Sequence, residues 1–471
     1  MVVENSQSET TIPDRTINKG KLSGGNSNQS VVIVGAGPMG VLLALKLGKA
    51  GVKVTILEKE QKTADAPRAC GYFAASTLAL HDAGVYDKTK EEGFLTRGLC
   101  WRRKPVDDGS GNRRLGDMVA SMPLAPPDLK SEDMPPGVGL LCLQQSNLTR
   151  LFVREALATG NVSIDFNREL CDIEEKGTVV TAIAKDVDTG DMHRYSASFL
   201  VGADGGRSTT RRLLGIPFGG HTWPERVLAT DVLVPNAEDP IMHTSFVFDN
   251  INFTVVTPLT EPVMGKWSLW RYATATDPQD DRSEEELLKD EHIASLYEKF
   301  MAGPRPLQYE IKARSLYRIH QRLANTFRRG RCVLAGDAAH VCAVSLDHFF
   351  SATPLFGLLF IQPQPYGALG LNSGILDVDA LSDALLMIFN EGKRLSLLDV
   401  YSDERRKVFQ FFVNPTTTHN KLRMSSDPDN VVEDDWLLRS LKNPSPEALE
   451  ELAKPYFETW RTDMRKLADT N

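Results

Sequence analysis

The sequence predicts an α/β chain: a dinucleotide-binding fold with an inserted β-rich substrate domain. Three observations predict it. A continuous β-branched run, Val31-Val32-Ile33-Val34, leads into Gly35-Ala36-Gly37-Pro38-Met39-Gly40 and then into the apolar segment Val41 to Leu47. A second short apolar run, Phe199-Leu200-Val201, leads into another glycine-rich turn, Gly202 to Ser208. Between about Val227 and Tyr272 the pattern changes to several short strands in succession.

The first observation is the most specific. An unbroken β-branched run fits a parallel strand buried on both faces. The G-x-G-x-x-G that follows sits between a strand and a helix. Gly35 permits the tight turn, Gly37 lets backbone approach a pyrophosphate at the helix N-terminus, and Gly40 lets the helix pack close to the strand. Gly51 stops the helix, and Val54 to Leu57 form the next strand. Glu58 ends that strand, where an acidic residue is expected to take ribose hydroxyls. By itself the glycine pattern would equally be a tight turn; its strand, helix and acidic context favour the nucleotide.

The remaining elements follow in order. Strands are expected at Val227 to Val234, Thr244 to Phe248, Phe253 to Thr257 and Trp267 to Tyr272, and a surface helix at Glu284 to Met301. Cys332 to Ala335 returns to a parallel-type strand ending in Gly336-Asp337. Long helices are expected from about Asn372 to Phe389 and from Leu397 to Phe412. The resulting division is a polar tail at 1–30, a discontinuous nucleotide domain at 31–215 and 318–415, a β-rich domain at 216–317 and a partly helical segment at 416–471.

The chain has 471 residues, 41% hydrophobic and 25% charged, with a net charge of −8. This composition supports a large core and disfavours a nucleic-acid partner. The six cysteines (Cys70, Cys100, Cys142, Cys171, Cys332 and Cys342) form no C-x-x-C pair. That argues against structural zinc, leaves no metal expected, and suits a reducing, cytoplasmic setting. No leader of the secretory type is recognised at the start. The longest apolar stretch, Phe349 to Ile361, is too short to span a bilayer. Oligomeric state is left open.

Asp204 in G-A-D-G-G-R-S and Asp337 in G-D-A-A-H each stand after a strand, where a carboxylate can meet a sugar-like hydroxyl. Taken with the first glycine motif, and in this order, they make the chain resemble the aromatic-ring hydroxylases, the single-component FAD-dependent monooxygenases. The resemblance runs from about Val31 to Val413. It includes A-P-R-A at Ala66 to Ala69, Q-x-x-L at Gln145 to Leu148, P-Y-G-A-L-G-L-N-S-G at Pro365 to Gly374 and Y-x-x-E-R-R at Tyr401 to Arg406. Phenol-hydroxylase-like enzymes and their fungal secondary-metabolite relatives are the nearest in pattern.

The resemblance implies FAD, with NAD(P)H as reductant and O2 as co-substrate, and hydroxylation of a phenolic or polyketide-like aromatic molecule. Baeyer–Villiger insertion or epoxidation on the same scaffold is the alternative. It implies that Gly35, Gly37 and Gly40 hold the pyrophosphate and Glu58 the ribose. Arg68 and Gln145 would meet the flavin chain, Asp337 the ribityl or pyrophosphate region, and Asp204 the FAD and NAD(P)H region. The backbone of Gly370, Leu371 and Asn372 would face the isoalloxazine, where a helix N-terminus supports negative charge on reduced flavin. No second G-x-G-x-x-G marks a separate nicotinamide domain.

Phenol hydroxylases tend to carry an acidic residue just after the alanine matching Ala69; Cys70 stands there. Tyr72 and His221 are candidate substrate contacts, though each is more often a locally satisfied buried residue. Trp267, Trp270 and Tyr272 could pack on an aromatic ring, but at strand spacing are more often core.

One segment breaks the pattern. In the family the proline-glycine turn follows the G-D motif directly, whereas here 21 residues, Val344 to Gln364, intervene before Pro365. Removing them restores the family spacing. Val344-Ser345 can be encoded GTA-AGT, an intron donor, and Gln364 CAG, an acceptor. A retained intron is the expectation, with a substrate lid as the other possibility. An insert here is expected to separate Asp337 from the flavin-facing turn and leave an inactive flavin-binding product.

Overall fold

The computed structural model describes residues 29–64, 70–126, 128–236, 243–345, 369–442 and 444–469. Five parallel strands form the first sheet: Ser30–Val34, Lys53–Leu57, Val162–Asp165, Phe199–Gly202 and Cys332–Leu334. Numbered in chain order, their spatial order is 3-2-1-4-5, with the short antiparallel Arg328–Arg329 at the edge. The sequence pattern explains the register. Val31 and Ile33 belong to the core under the helices Pro38–Lys49, Gln145–Ala158 and Leu369–Glu391. Val32 and Val34 pack instead with Leu170, Val180, Ala182 and Ala184 of a three-stranded antiparallel sheet on the other face. Both faces are dry, so the run has no polar alternation.

Strand order reverses between Ser30–Val34 and Phe199–Gly202, which pair in parallel. In open α/β sheets, ligands bind in the crevice beyond the carboxyl ends of the strands at such a point. Gly35 and Ala203 leave those two ends side by side.

The second large sheet has eight strands, in the order His340–Ser345, Glu310–Ala324, Phe218–Pro235, Trp267–Ala275, Thr254–Pro258, His243–Val247, Gly98–Arg102 and Met118–Pro123. It is wider than the expected 216–317 insertion, because strands from 98–123 and 340–345 join its edges. Residues alternate across it. Leu228, Val232, Val256, Trp270 and Tyr272 turn to a core shared with Leu287, Ile293, Leu296 and Phe300 of the helices Glu284–Leu287 and Asp290–Phe300. Their neighbours turn toward the nucleotide-type domain. The single surface helix expected at Glu284 to Met301 is thus two.

The segment after residue 416 is helical and docks firmly. Trp460 is fully buried and its Nε1 donates to Ser373 Oγ at 2.9 Å. Tyr456 and Trp460 pack on Phe73 with ring centroids 6.2 and 6.1 Å away. The tail at 1–28 and most of Val344–Gln364 lie outside the described residues. Val344 and Ser345 themselves pair with Ile319 and Arg318.

Candidate active site

A cavity of about 640 Å³ runs from the strand-end crevice to the inner face of the eight-stranded sheet. That is within the size range of small-molecule and cofactor sites. At the crevice end Gly35 has φ +105°, and a Cβ there would stand 2.5 Å from Ala203 O. A side chain is therefore excluded both by conformation and by space. Gly40 does not line the cavity; a Cβ on it would meet Gly35 O at 2.1 Å. Its role is the close helix–strand approach.

The residues fit FAD. The helix Pro38–Lys49 opens with Gly37 as its N-cap, has no side-chain cap and carries no acidic residue in its first turn. Its N–H groups are left for an anion such as a pyrophosphate. A Cβ on Gly37 would meet nothing within 4 Å, so open cavity lies beside that backbone. Glu58 lines the same end. Its Oε2 accepts from Ala36 N at 2.7 Å and its Oε1 from Glu60 N at 3.0 Å. A carboxylate offers about four acceptor sites, so capacity for ribose hydroxyls remains. Gln145, Asp204, Asp337, Gly370 and Leu371 also line the cavity. Arg68 lies outside the described residues.

Two buried arrangements hold these pieces together. Arg211 donates to Gly206 O at 2.8 Å and to Ala338 O at 2.9 Å, tying the turn after the fourth strand to the turn after the fifth. Burial lowers its pKa to about 10. Asp377, fully buried on the helix Leu369–Glu391, accepts from His340 Nε2 at 2.6 Å, Gly336 N at 3.1 Å and Arg405 Nε at 2.7 Å. Burial opposes its ionisation, but His340 and Arg405 outweigh burial and hold it below the usual carboxylate range. Arg405, from the Y-x-x-E-R-R helix, also donates to Trp460 O at 2.7 Å and Ser373 O at 3.3 Å. The Asp337 turn and Gly370-Leu371 therefore share one cavity. The separation expected from the intervening segment is not seen, because the Asp377 carboxylate fastens both sides.

The inner end of the cavity is mostly apolar, with Val227, Ala229, Phe246, Val255 and Ala273 from the sheet. Arg271 stands among them and is 8% exposed. Its Nε and Nη2 donate to Asp231 at 2.7 and 2.9 Å. Cys70 and Tyr317 line the same end. Burial pushes the Cys70 thiol up, partly offset by Arg271, and raises Tyr317 to about 12.

Several expected site residues have other roles. Asp204 contributes to the wall, but its carboxylate accepts from Ser208 Oγ, Thr210 N and Thr210 Oγ1, closing its own turn. Asn372 is fully buried and does not line the cavity. Its side chain clamps the cavity-wall strand, accepting from Phe73 N and donating to Gly71 O, each at 2.9 Å. Tyr72 is fully buried behind the wall formed by Cys70, Gly71 and Phe73. His221 pairs with Gln321 on adjacent strands and stacks edge-on with Trp223, away from the cavity. Trp270 and Tyr272 point to the reverse face, and Trp267 is 51% exposed. Strand period decides this: Arg271, between Trp270 and Tyr272, is the residue that faces inward. Sequence reasoning missed it, although the alternation around it was readable. Among the described residues, no group of three or more His, Cys, Asp and Glu side chains could hold a metal ion.

A family profile described as "FAD binding domain" matches residues 28–345 and 362–416. The chain belongs to this FAD-binding family. Para-nitrophenol 4-monooxygenase of Pseudomonas sp. (strain WBC-3) is 33% identical over 411 residues, covering 87% of this chain and 91% of that protein. The 6-hydroxy-3-succinoylpyridine 3-monooxygenase HspB of Pseudomonas putida (strain DSM 28022 / S16) is 29% identical over 422 residues, with 87% and 92% covered. The crystal structure of p-nitrophenol 4-monooxygenase PnpA from Pseudomonas putida DLL-E4 superposes with a TM-score of 0.75 at 31% identity, covering 93% of this chain and 99% of that one. The family member described here is a single-component FAD-dependent aromatic monooxygenase with NAD(P)H as its reductant. The family profile leaves residues 346–361 unmatched, inside the anomalous segment. Among the described residues no helix is long and apolar enough to cross a membrane.

Proposed function

We propose that this monooxygenase hydroxylates a phenolic ring held against the inner face of the eight-stranded sheet, using O2 and NAD(P)H. The observation that carries this reading is the continuity of the cavity. One enclosure joins the dinucleotide crevice at Gly35 and Glu58 to the apolar wall at Val227, Ala229 and Phe246. Bound FAD supplies the redox chemistry and the oxygen activation. The chain's own residues orient the ring, exclude water and seat the cofactor. The acceptors named for the relatives, a nitrophenol and a hydroxypyridine derivative, are electron-poor hydroxylated rings, and a cavity of this build suits that class. The free cysteines among the described residues suit a reducing, cytoplasmic setting. A role in secondary metabolism rests on the motif resemblance to the fungal members of the family; aklavinone-11 hydroxylase, at a TM-score of 0.65 and 21% identity, shares the fold.

The test supplies purified holoenzyme with NAD(P)H, labelled O2 and a panel of phenols. The expected product carries one labelled oxygen on the ring. A ring-expanded ester would move the reading to Baeyer–Villiger insertion, and an epoxide to epoxidation. Absence of NAD(P)H oxidation with every phenol would overturn it.

A second reading concerns Val344 to Gln364. We propose that these 21 residues are translated intron. The break in the family match at 346–361 favours this. Sequencing the mature transcript tests it, and a transcript population carrying all 21 codons throughout would refute it.

A further inference from the structure

We infer that Arg271 determines specificity at the inner end of the cavity by binding the oxygen anion of a substrate that has already lost its proton. The enzyme would then select acidic phenols and hydroxyheteroaromatics over ordinary phenols. The inference rests on the aromatic hydroxylation proposed above and names the substrate class of that site.

The geometry carries it. Arg271 and Asp231 are directly opposite on neighbouring strands. Asp231 takes Nε and Nη2 together, so the guanidinium is fixed in one orientation by a fork-on-carboxylate pair. The donors on Nη1 are not used by Asp231. Arg271 lines the cavity and Asp231 does not. The pair is neutral overall, yet its positive end faces the cavity. The surrounding wall is mostly apolar, where a charged partner is favoured more strongly over a neutral one than in water. Arginine is the residue suited to an oxyanion at such a place.

Among the described residues, no group packed around Arg271 is placed to take a proton from a neutral phenol. Among the described residues its titratable neighbours are Asp231 on the adjacent strand, Tyr317 on the strand Glu310–Ala324, Cys70 on the cavity wall and Tyr72 behind that wall. Both oxygens of Asp231 are engaged by Arg271. Burial raises Cys70, Tyr72 and Tyr317, which keeps them protonated. Cys70 and Tyr317, which line the cavity, can donate to an oxyanion but do not generate one. The substrate proton therefore leaves to bulk water before the ring is bound. At neutral pH a phenol of ordinary acidity, about 10, is ionised to roughly one part in a thousand. An acidic phenol is ionised to a large extent. The site discriminates between them through that fraction.

The test uses oxidised holoenzyme without NAD(P)H and two probes: 4-nitrophenol, whose anion is coloured, and 4-methylphenol. Difference spectra report both the amount bound and its ionisation state. The expected result is bound 4-nitrophenol in its anionic form even below its solution pKa. Its apparent Kd should weaken about tenfold per pH unit of acidification below that pKa. The 4-methylphenol should bind at least 100-fold more weakly at neutral pH. The paired variant Asp231→Asn with Arg271→Gln removes both charges at once and avoids leaving one unpaired. It should bind the neutral form and lose the pH dependence, whereas Arg271→Lys should retain part of it. Neutral bound nitrophenol in the parent, an affinity indifferent to pH, or an anion signal persisting in the paired variant would each overturn the inference. Phenols that bind as anions but are never hydroxylated leave the inference standing and sink the proposed reaction. Hydroxylation without anion preference does the reverse.

Discussion

Asp377→Leu removes an acceptor that three buried groups share. Arg405 is 1% exposed and keeps only carbonyl and hydroxyl partners from Trp460, Thr462 and Ser373. His340, 2% exposed, loses the Nε2 contact, and Gly336 N loses its acceptor. Breaking a buried ion pair by deleting one partner costs about 3–5 kcal/mol. An orphaned backbone N–H adds about 1–3 kcal/mol. These terms overlap, so a loss of about 4–6 kcal/mol is expected, a large share of the stability of an ordinary domain. Chemical denaturation of holo- and apoprotein, followed by both tryptophan fluorescence and flavin release, measures it. The double variant Asp377→Leu with Arg405→Met removes the uncompensated guanidinium and should recover more than half of the loss. The parent should also show a sign-specific pH response. Asp377 is held below its unfolded pKa, so its contribution is complete above about pH 4 and disappears as acid titrates the folded group. Asp377→Leu should lack that part of the acid transition. A single variant within 1 kcal/mol of the parent, or a double variant no better than the single, would refute the assignment of this carboxylate as the fastening point.

Glu58→Ala removes the acceptor of Ala36 N and Glu60 N and should weaken FAD binding by about 10–100-fold, on the basis of roughly 1–3 kcal/mol for such contacts; flavin fluorescence titration gives the constant. Asp337→Ala should also lower FAD retention, and yellow preparations indistinguishable from the parent in both variants would show that these carboxylates do not serve the cofactor. Trp460→Phe keeps the packing on Phe73 but loses the bond to Ser373, for an expected cost of about 1 kcal/mol, whereas Trp460→Ala should cost about 3–5 kcal/mol; thermal unfolding of the holoenzyme ranks them. His221→Ala should leave substrate KM within twofold, since His221 does not line the cavity; a tenfold rise in steady-state assays would return it to the substrate site.

The crevice was legible because local rules and the tertiary structure agree there. Val31 to Gly40 encode strand, turn and helix within one short stretch, and no distant residue is needed to read them. Asp337 and Gly370 were legible through spacing and resemblance. Asp204 stands at the cavity wall where its motif puts it, and its carboxylate also closes the turn that the motif forms. Arg271 was not legible, because its meaning depends on Asp231, forty positions earlier, and on which face of a strand looks inward. The Asp377 fastening was equally hidden. It joins His340, Gly336 and Arg405 across the chain, and pair contacts of that range leave no local periodicity. Tyr72 and His221 were chosen for chemistry alone; Tyr72 is buried behind the wall, and His221 sits beside Gln321 and Trp223 outside the cavity lining.

The eight-stranded sheet has a consequence for how such an enzyme changes. Its inward and outward residues interleave along each strand but never meet in space. The outward set, with Trp270 and Tyr272, is braced by two helices. The inward set, with Ala229, Ala273, Val227 and Thr244, lines the chamber. Enlarging Ala229 or Ala273 would shrink the chamber without touching the brace, whereas Phe246 is stacked on Trp101 and belongs to the frame. New acceptors can thus be explored one residue at a time while the frame and the cofactor seat stay fixed. Libraries restricted to inward positions should give many folded proteins of altered appetite, and libraries at the outward positions mostly unfolded ones.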